Sequence, residues 1–294
     1  MLQYSESKWK NQLEKFLTSF CKRRKDENME KDLSNEQVVH VKEPDGIEYL
    51  QFRRLLTYKE VTHCFTMKGK ANINYISALK NPYFPKLCNH LGIDKEKLAQ
   101  IEMQVHGNVV KEVENYKEIY TDMDGLITNQ KGVILGLRFA DCTPIFFYDP
   151  VKKVVGNIHS GWRGTVKRIG KKGIEQMQKI YGSNPKDIIC CIGPCIKECH
   201  FEVEDDVKKL FEEAFAKESK VWKECIQKTE IKEGKQKYKI NTTKLIIEML
   251  EQAGVKPENI VDSGICTVCH ADQIHSHRAE REKAGRNMGL IALK

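Results

Sequence analysis

Three side chains of this 294-residue chain are of the types that bind and use a transition metal. They are His106 in Gln104-Val105-His106-Gly107, Cys142 in Ala140-Asp141-Cys142-Thr143-Pro144, and His159 in Ile158-His159-Ser160-Gly161. Imidazole nitrogen and thiolate sulfur are natural zinc donors, and three protein ligands with one open position make a catalytic rather than a structural site. Spacing alone does not join them. The separations are too long for a local zinc signature, and each residue by itself is equally well explained as core or surface. The same residues allow metal-free chemistry, with Cys142 as nucleophile and His159 as its base, as in a cysteine hydrolase. Asp141, next to Cys142, suits orienting a ligand histidine or acting as a general base, and it suits capping a turn just as well.

These residues sit among segments that read as strands. Val133–Phe139 and Ile145–Tyr148 are apolar and rich in branched and aromatic residues, Asp149-Pro150 marks a turn, and Val154–His159 returns. If 133–148 and 154–159 pair as an antiparallel hairpin, Cys142 and His159 meet near one end of a sheet. Gly161–Thr165 (GWRGT) then leads into one helix with Val166, Ile169, Ile174, Met177 and Tyr181 on its apolar stripe and Gly182 as its stop. Ile188–Ile192 reads as a buried strand. Val207, Leu210, Phe211, Ala214 and Phe215 repeat at helical spacing, and another helix starts near Asn241-Thr242 and ends at Gly254. Asn287–Leu293 closes the chain as a strand. Strands and helices mix without regular βαβ alternation and without internal repeats, which predicts an α+β class with a layered mixed sheet. Residues 1–45 differ from the rest. Trp9, Leu13, Phe16, Leu17 and Phe20 suggest one amphipathic helix, followed by a polar linker at Cys21–Glu36. A single domain over 46–294 is expected beyond this extension.

The composition fits a folded, water-soluble protein, 40% hydrophobic and 31% charged. The formal charge of +8 arises from interleaved signs and reads as solvated surface, so neither a nucleic-acid nor a membrane partner is expected. No segment reads as an export signal, and none approaches the ~18 apolar residues of a membrane helix. Eleven cysteines in such a chain predict reduced thiols and a cytoplasmic location rather than a disulfide framework.

The series QVHG, DGLIT, ADCTPI, HSGWRGT, IGPCI, HFEV and HRAEREKAGR, in this order between about Tyr49 and Leu293, resembles the laccase-domain family, once called multicopper polyphenol oxidases. The resemblance implies a fold similar to that of a bacterial toxin deamidase and a metal held by His106, Cys142 and His159. It also implies phosphorolysis of purine nucleosides (adenosine, inosine, S-methyl-5'-thioadenosine) with phosphate as co-substrate, and adenosine deamination at the same site. Zinc is the metal expected, with copper the competitor for such donors. Zinc activates water, which suits deamination, whereas phosphorolysis needs a phosphate held beside the sugar.

Further roles follow from the same resemblance. Arg163, at a predicted helix start, is placed to hold phosphate with help from the helix N-terminus, and Arg278 and Arg286 are second candidates. Asp124, in DGLIT, is a candidate for the ribose hydroxyls or a turn residue. His63 matches the family's early histidine motif and is a candidate pocket residue. Lys68 stands where the family usually carries arginine, keeping the charge while losing the planar fork.

Two other features compete for attention. Cys266-Thr267-Val268-Cys269-His270 spells the CxxCH haem-attachment pattern, but that attachment occurs outside the cytoplasm. Cys190, Cys191, Cys195, Cys199 and His200 form a dense cluster that, with Cys269, offers donors for a second metal, although reduced thiols are the simpler expectation. A four-copper oxidase needs many histidines, largely in HxH pairs. Nine histidines with the single pair His275-Ser276-His277 make that reading weak.

Overall fold

The computed structural model describes residues 32–69, 80–217 and 219–294. Its architecture follows from two sheets that each bury both faces. The first runs β1 (Val38–Lys42), β2 (Glu48–Phe52), β3 (Val61–Thr66), β15 (Asn287–Leu293), β7 (Ile134–Phe139) and β4 (Leu98–Gln100). The second runs β14 (Ile260–Asp262), β10 (Ile189–Ile192), β8 (Thr143–Asp149), β9 (Val154–Ser160), β6 (Gly125–Thr128) and β5 (Val110–Glu112). Both are mixed, with parallel pairs at β4–β7, β10–β14 and β5–β6. A small third sheet joins β11 (Glu202–Val203), β13 (Lys235–Ile240) and β12 (Ile226–Lys232).

Alternation along β8 shows how the layers form. Phe146 and Tyr148 point into the core shared with the first sheet, where they meet Phe52, Phe65, Leu135 and Ile291. Ile145 and Phe147 point the other way and pack under the helices Ile169–Tyr181 and Thr242–Gln252, through Ile174, Met177, Ile246 and Leu250. The outer face of the first sheet is covered in turn by the helix Phe84–Leu91, with Phe84, Leu87 and Leu91 against Ile134 and Leu290. The order is helix, sheet, sheet, helices, an α+β domain of layered mixed sheets. Burial on both faces explains why these strands read as continuous apolar runs. Each fully buried phenylalanine contributes about 1.5–3 kcal/mol. Asn157 of β9 fastens the two sheets, donating through Nδ2 to the carbonyls of Leu135 (3.1 Å) and Gly289 (2.8 Å).

The expected hairpin forms only in part. β8 and β9 pair antiparallel along their length, but β7 lies in the other sheet between β15 and β4. The single helix expected after GWRGT is two, Trp162–Val166 and Ile169–Tyr181, broken where Arg168 takes φ 60°. Gly182 does end the second, at φ 66°. Asn241 caps the helix Thr242–Gln252, its side chain accepting from the backbone N–H of Lys244 at 2.9 Å. The strands at Ile189–Ile192 and Asn287–Leu293 and the helix Asp205–Phe215 fall where expected.

Residues 33–294 form one compact unit. The amphipathic helix expected between Trp9 and Phe20 lies outside the described residues. The described part of the expected extension includes β1, which pairs with β2 from Val38 opposite Phe52 to Lys42 opposite Glu48. Among the described residues no helix is long and apolar enough to cross a membrane.

Candidate metal and substrate site

Cys142 stands where the chain crosses from one sheet to the other. β7 ends at Phe139, β8 starts at Thr143, and Asp141 turns the corner with φ 79°. Few residues adopt that left-handed conformation without support. The support is a pair of hydrogen bonds: Thr267 Oγ1 donates to one carboxylate oxygen (2.6 Å) and the backbone N–H of Arg278 to the other (2.5 Å). β9 brings His159 opposite Pro144, so the imidazole lies beside Cys142. His106 arrives from the connection between β4 and β5, also in a left-handed conformation, at φ 58°.

One carboxylate organises two of the three. Asp124, fully buried just before β6, accepts from the backbone N–H of His106 (2.9 Å) and of Gly107 (2.6 Å), and from His159 Nδ1 (2.8 Å). The last bond fixes the tautomer and leaves Nε2 of His159 as its donor. The donor atoms of His106, Cys142 and His159 all lie within 4.8 Å of one another. Gly161 makes this approach possible, since a Cβ there would sit 2.6 Å from His106 Cδ2 and 3.2 Å from Cys142 Sγ.

The electrostatics favour a thiolate beside an imidazolium, and a metal would take the place of the proton that His159 holds. Burial pushes the Cys142 thiol up, but the positive charge of His159 and hydrogen bonds from both imidazoles outweigh it, bringing the pKa to about 6. Burial pulls His159 down, while the Cys142 thiolate and Asp124 raise it to about 9. Burial likewise opposes ionisation of Asp124, yet its bond to His159 and the two backbone N–H groups hold it below the ordinary carboxylate range. A thiolate and two imidazoles, one oriented by a buried carboxylate, are a donor set that fits zinc or copper.

His106, Cys142 and His159 line a cavity of about 530 Å³, together with Asp141, Arg163, Arg278 and Arg286. Arg278 is braced by a bond from Nη1 to the carbonyl of His200 (2.8 Å), and Arg286 by bonds to the carbonyls of Ala284 (3.0 Å) and Gly285 (2.8 Å). Arg163 lies 4.2 Å over the ring of Trp162. Its helix, Trp162–Val166, has five residues, so the guanidinium rather than a helix dipole is what it offers. Arg138, which sequence reasoning missed, also lines the cavity and donates to the carbonyls of Ile101 (3.0 Å) and Glu102 (2.6 Å). Its signal was a lone charge inside the apolar run of β7.

Two residues expected near the pocket are placed elsewhere. His63 is buried against Phe52 and Phe146, and its Nε2 accepts from the backbone N–H of Phe52 (2.6 Å). Lys68 bonds to the carbonyl of Ala271 and pairs with Glu280 at 2.8 Å. The carboxylate touching a histidine of the cluster is Asp124, whereas Asp141 holds the corner that carries Cys142.

The sequence profile of the family described as multi-copper polyphenol oxidoreductase laccase matches residues 83–294. The chain belongs to that family. The laccase-family match extends to named relatives. One is the purine nucleoside phosphorylase YlmD of Bacillus subtilis, 36% identical over 200 residues, covering 65% of this chain and 69% of that protein. A purine nucleoside phosphorylase of Homo sapiens is 31% identical over 218 residues, covering 71% of this chain but only 46% of the human protein. The crystal structure of YlmD from Geobacillus stearothermophilus superposes with a TM-score of 0.73 at 26% identity, covering 90% of this chain and all of that one (100%). The family implies metal binding, and the His106–Cys142–His159 cluster is a place for it.

Proposed function

We propose that this protein is a zinc-dependent purine nucleoside phosphorylase that also deaminates adenosine. The observation that carries the reading is the convergence of His106, Cys142 and His159 on an arginine-walled cavity roomy enough for a nucleoside. The names of the relatives support it.

Phosphorolysis puts a phosphate oxygen on the anomeric carbon of the ribose. The bond from that carbon to the purine nitrogen breaks, and the purine takes up a proton. Arg163, Arg278 and Arg286 supply cationic forks for the phosphate, two of them already fixed by backbone carbonyls. Asp124 holds His159 in one tautomer, and Asp141 holds Cys142 and the backbone of Arg278 at fixed positions. A zinc ion bound by the three donors would supply Lewis acidity and an activated water for deamination. Adenosine, inosine and S-methyl-5'-thioadenosine are the proposed substrates. Among the described residues, the two clusters able to hold a metal use three of the nine histidines, a poor supply for a four-copper oxidase.

One observation favours a second reading. Cys142, His159 and Asp124 stand in the order of nucleophile, base and orienting carboxylate, as a metal-free cysteine hydrolase needs. Incubation of zinc-loaded protein with adenosine, with and without phosphate, separates the two. Phosphate-dependent adenine and ribose 1-phosphate, with some inosine, all lost in Cys142→Ala, is the expected result. Absence of any purine product in either buffer would overturn the phosphorylase reading and leave the hydrolase.

A further inference from the structure

A second group of metal-type donors lies outside the cluster described above. Cys199 and His200 end the turn before β11, and Cys266 and Cys269 sit in the turn before the helix His277–Glu280. The two segments are laid side by side by a parallel bridge between Cys195 and Cys266. In it the N–H of Cys195 donates to the carbonyl of Ile265 (3.3 Å) and that of Thr267 to the carbonyl of Cys195 (3.0 Å). The result is a knot of four donor atoms, all within 4.8 Å of one another.

The separations have the shape of a tetrahedron. Cys199 Sγ lies 3.5 Å from Cys266 Sγ and 3.8 Å from Cys269 Sγ. His200 Nδ1 lies 3.1 Å from Cys199 Sγ, 3.7 Å from Cys266 Sγ and 3.6 Å from Cys269 Sγ. Zinc–sulfur bonds of about 2.3 Å and zinc–nitrogen bonds of about 2.0–2.1 Å, arranged tetrahedrally, require edges of roughly 3.8 Å between sulfurs and roughly 3.6 Å from sulfur to nitrogen. These sulfur pairs are also far too long for a disulfide, whose bond is about 2.05 Å. Cys199 and Cys269 are exposed, so apolar packing does not account for their crowding against His200 and the buried Cys266.

We propose that Cys199, His200, Cys266 and Cys269 bind a zinc ion in a closed Cys₃His site, separate from the His106–Cys142–His159 cluster. With all four positions filled by protein, this ion is structural. It ties the turn at Cys199-His200 to the segment that continues into Arg278. The carbonyl of His200 is the acceptor of the Arg278 guanidinium, so the tie also steadies one wall of the cavity. The CxxC at Cys266 and Cys269 is thereby a zinc motif rather than a haem attachment.

The test is zinc content and coordination in the double variant His106→Ala/Cys142→Ala, which strips the first cluster and leaves the four donors intact. The expected result is about one zinc per chain retained after gel filtration, with X-ray absorption showing mainly sulfur neighbours. Adding Cys269→Ser should abolish that zinc and lower the thermal midpoint. As a check that needs no variant, cobalt-loaded wild-type protein should show the strong thiolate charge-transfer absorption of a sulfur-rich tetrahedral site. A double variant that folds and carries no zinc would overturn the proposal. So would wild-type protein in which cobalt shows the absorption of a single-thiolate site only. Neither outcome depends on phosphorolysis, so the two proposals stand or fall separately.

Discussion

Asp124 Oδ1 accepts a 2.8 Å hydrogen bond from His159 Nδ1, and the same carboxylate holds the backbone N–H groups of His106 and Gly107. Two of the three donors in the cluster are therefore positioned by one fully buried group that is not among the residues lining the cavity. Removing such an orienting partner typically costs 10–100-fold in metal affinity. Asp124→Asn should keep the shape but lose the charge and the tautomer control. Zinc affinity, measured by competition with a chromogenic chelator, should fall roughly 10- to 100-fold. An unchanged affinity would mean that Asp124 serves the fold alone.

Gly161 is the tightest steric constraint on the cluster. The methyl of alanine there would press on His106 Cδ2 at 2.6 Å and on Cys142 Sγ at 3.2 Å. The glycine is in an ordinary extended conformation, φ −67°, so Gly161→Ala adds no backbone strain of its own. The displaced side chains should lower turnover by about 100-fold, the scale of a 1 Å misplacement at a reacting centre. Far-ultraviolet circular dichroism should be unchanged. Full activity in this variant would show that the cluster can shift without consequence.

The arginines differ in how firmly they are held, and that difference predicts a graded response. Arg278 and Arg286 are fixed by backbone carbonyls, while Arg163 is exposed and rests on Trp162. Hydrogen bonds to charged groups contribute about 1.5–3 kcal/mol, so alanine at a phosphate-contacting position should raise the KM for phosphate roughly 10- to 100-fold. Arg278→Lys keeps the charge but loses the fork that engages His200, and should recover only part of the loss. If the KM for phosphate moves in none of the three alanine variants, phosphate sits elsewhere.

Much of this site was legible as residue types before it was legible as geometry. The apolar runs of β7, β8 and β9 announced buried strands, but a continuous run fits any position inside a doubly covered sheet. Nothing local therefore said that Leu137 pairs with Gly289 of β15 while Ile145 pairs with Ile158 of β9. The break at Arg168 was equally hidden, because the apolar spacing from Val166 to Tyr181 runs on through it. Asp124 and Asp141 both stand next to motif residues, and only the fold shows which carboxylate meets a histidine. β12 went unread because its sequence, IQKTEIK, is largely exposed and charged and carries little apolar signal. The cysteines at 199, 266 and 269 were visible, but the bridge between Cys195 and Cys266 that gathers them joins segments far apart in the chain.

His63 gives a pH signature that is independent of the metal. Its ring is buried between Phe52 and Phe146, Nε2 accepts the N–H of Phe52, and Nδ1 has no hydrogen-bond partner. Burial pushes its pKa from the ordinary 6.5 down to about 3. Between those two values the unfolded chain holds a proton on this residue that the folded chain does not. Acidification therefore favours unfolding, and the contribution of His63 is fully present above about pH 6.5 and lost as pH falls toward 3. One proton of difference corresponds to about 1.4 kcal/mol per pH unit within the window. His63→Gln supplies an acceptor for Phe52 without a titrating group. Its stability, from urea unfolding between pH 7 and 4, should depend on pH less steeply than that of the wild type by about this amount. Parallel pH profiles for the two proteins would mean that the imidazole at position 63 is protonated in the folded state or relieved of its burial, against the packing described here.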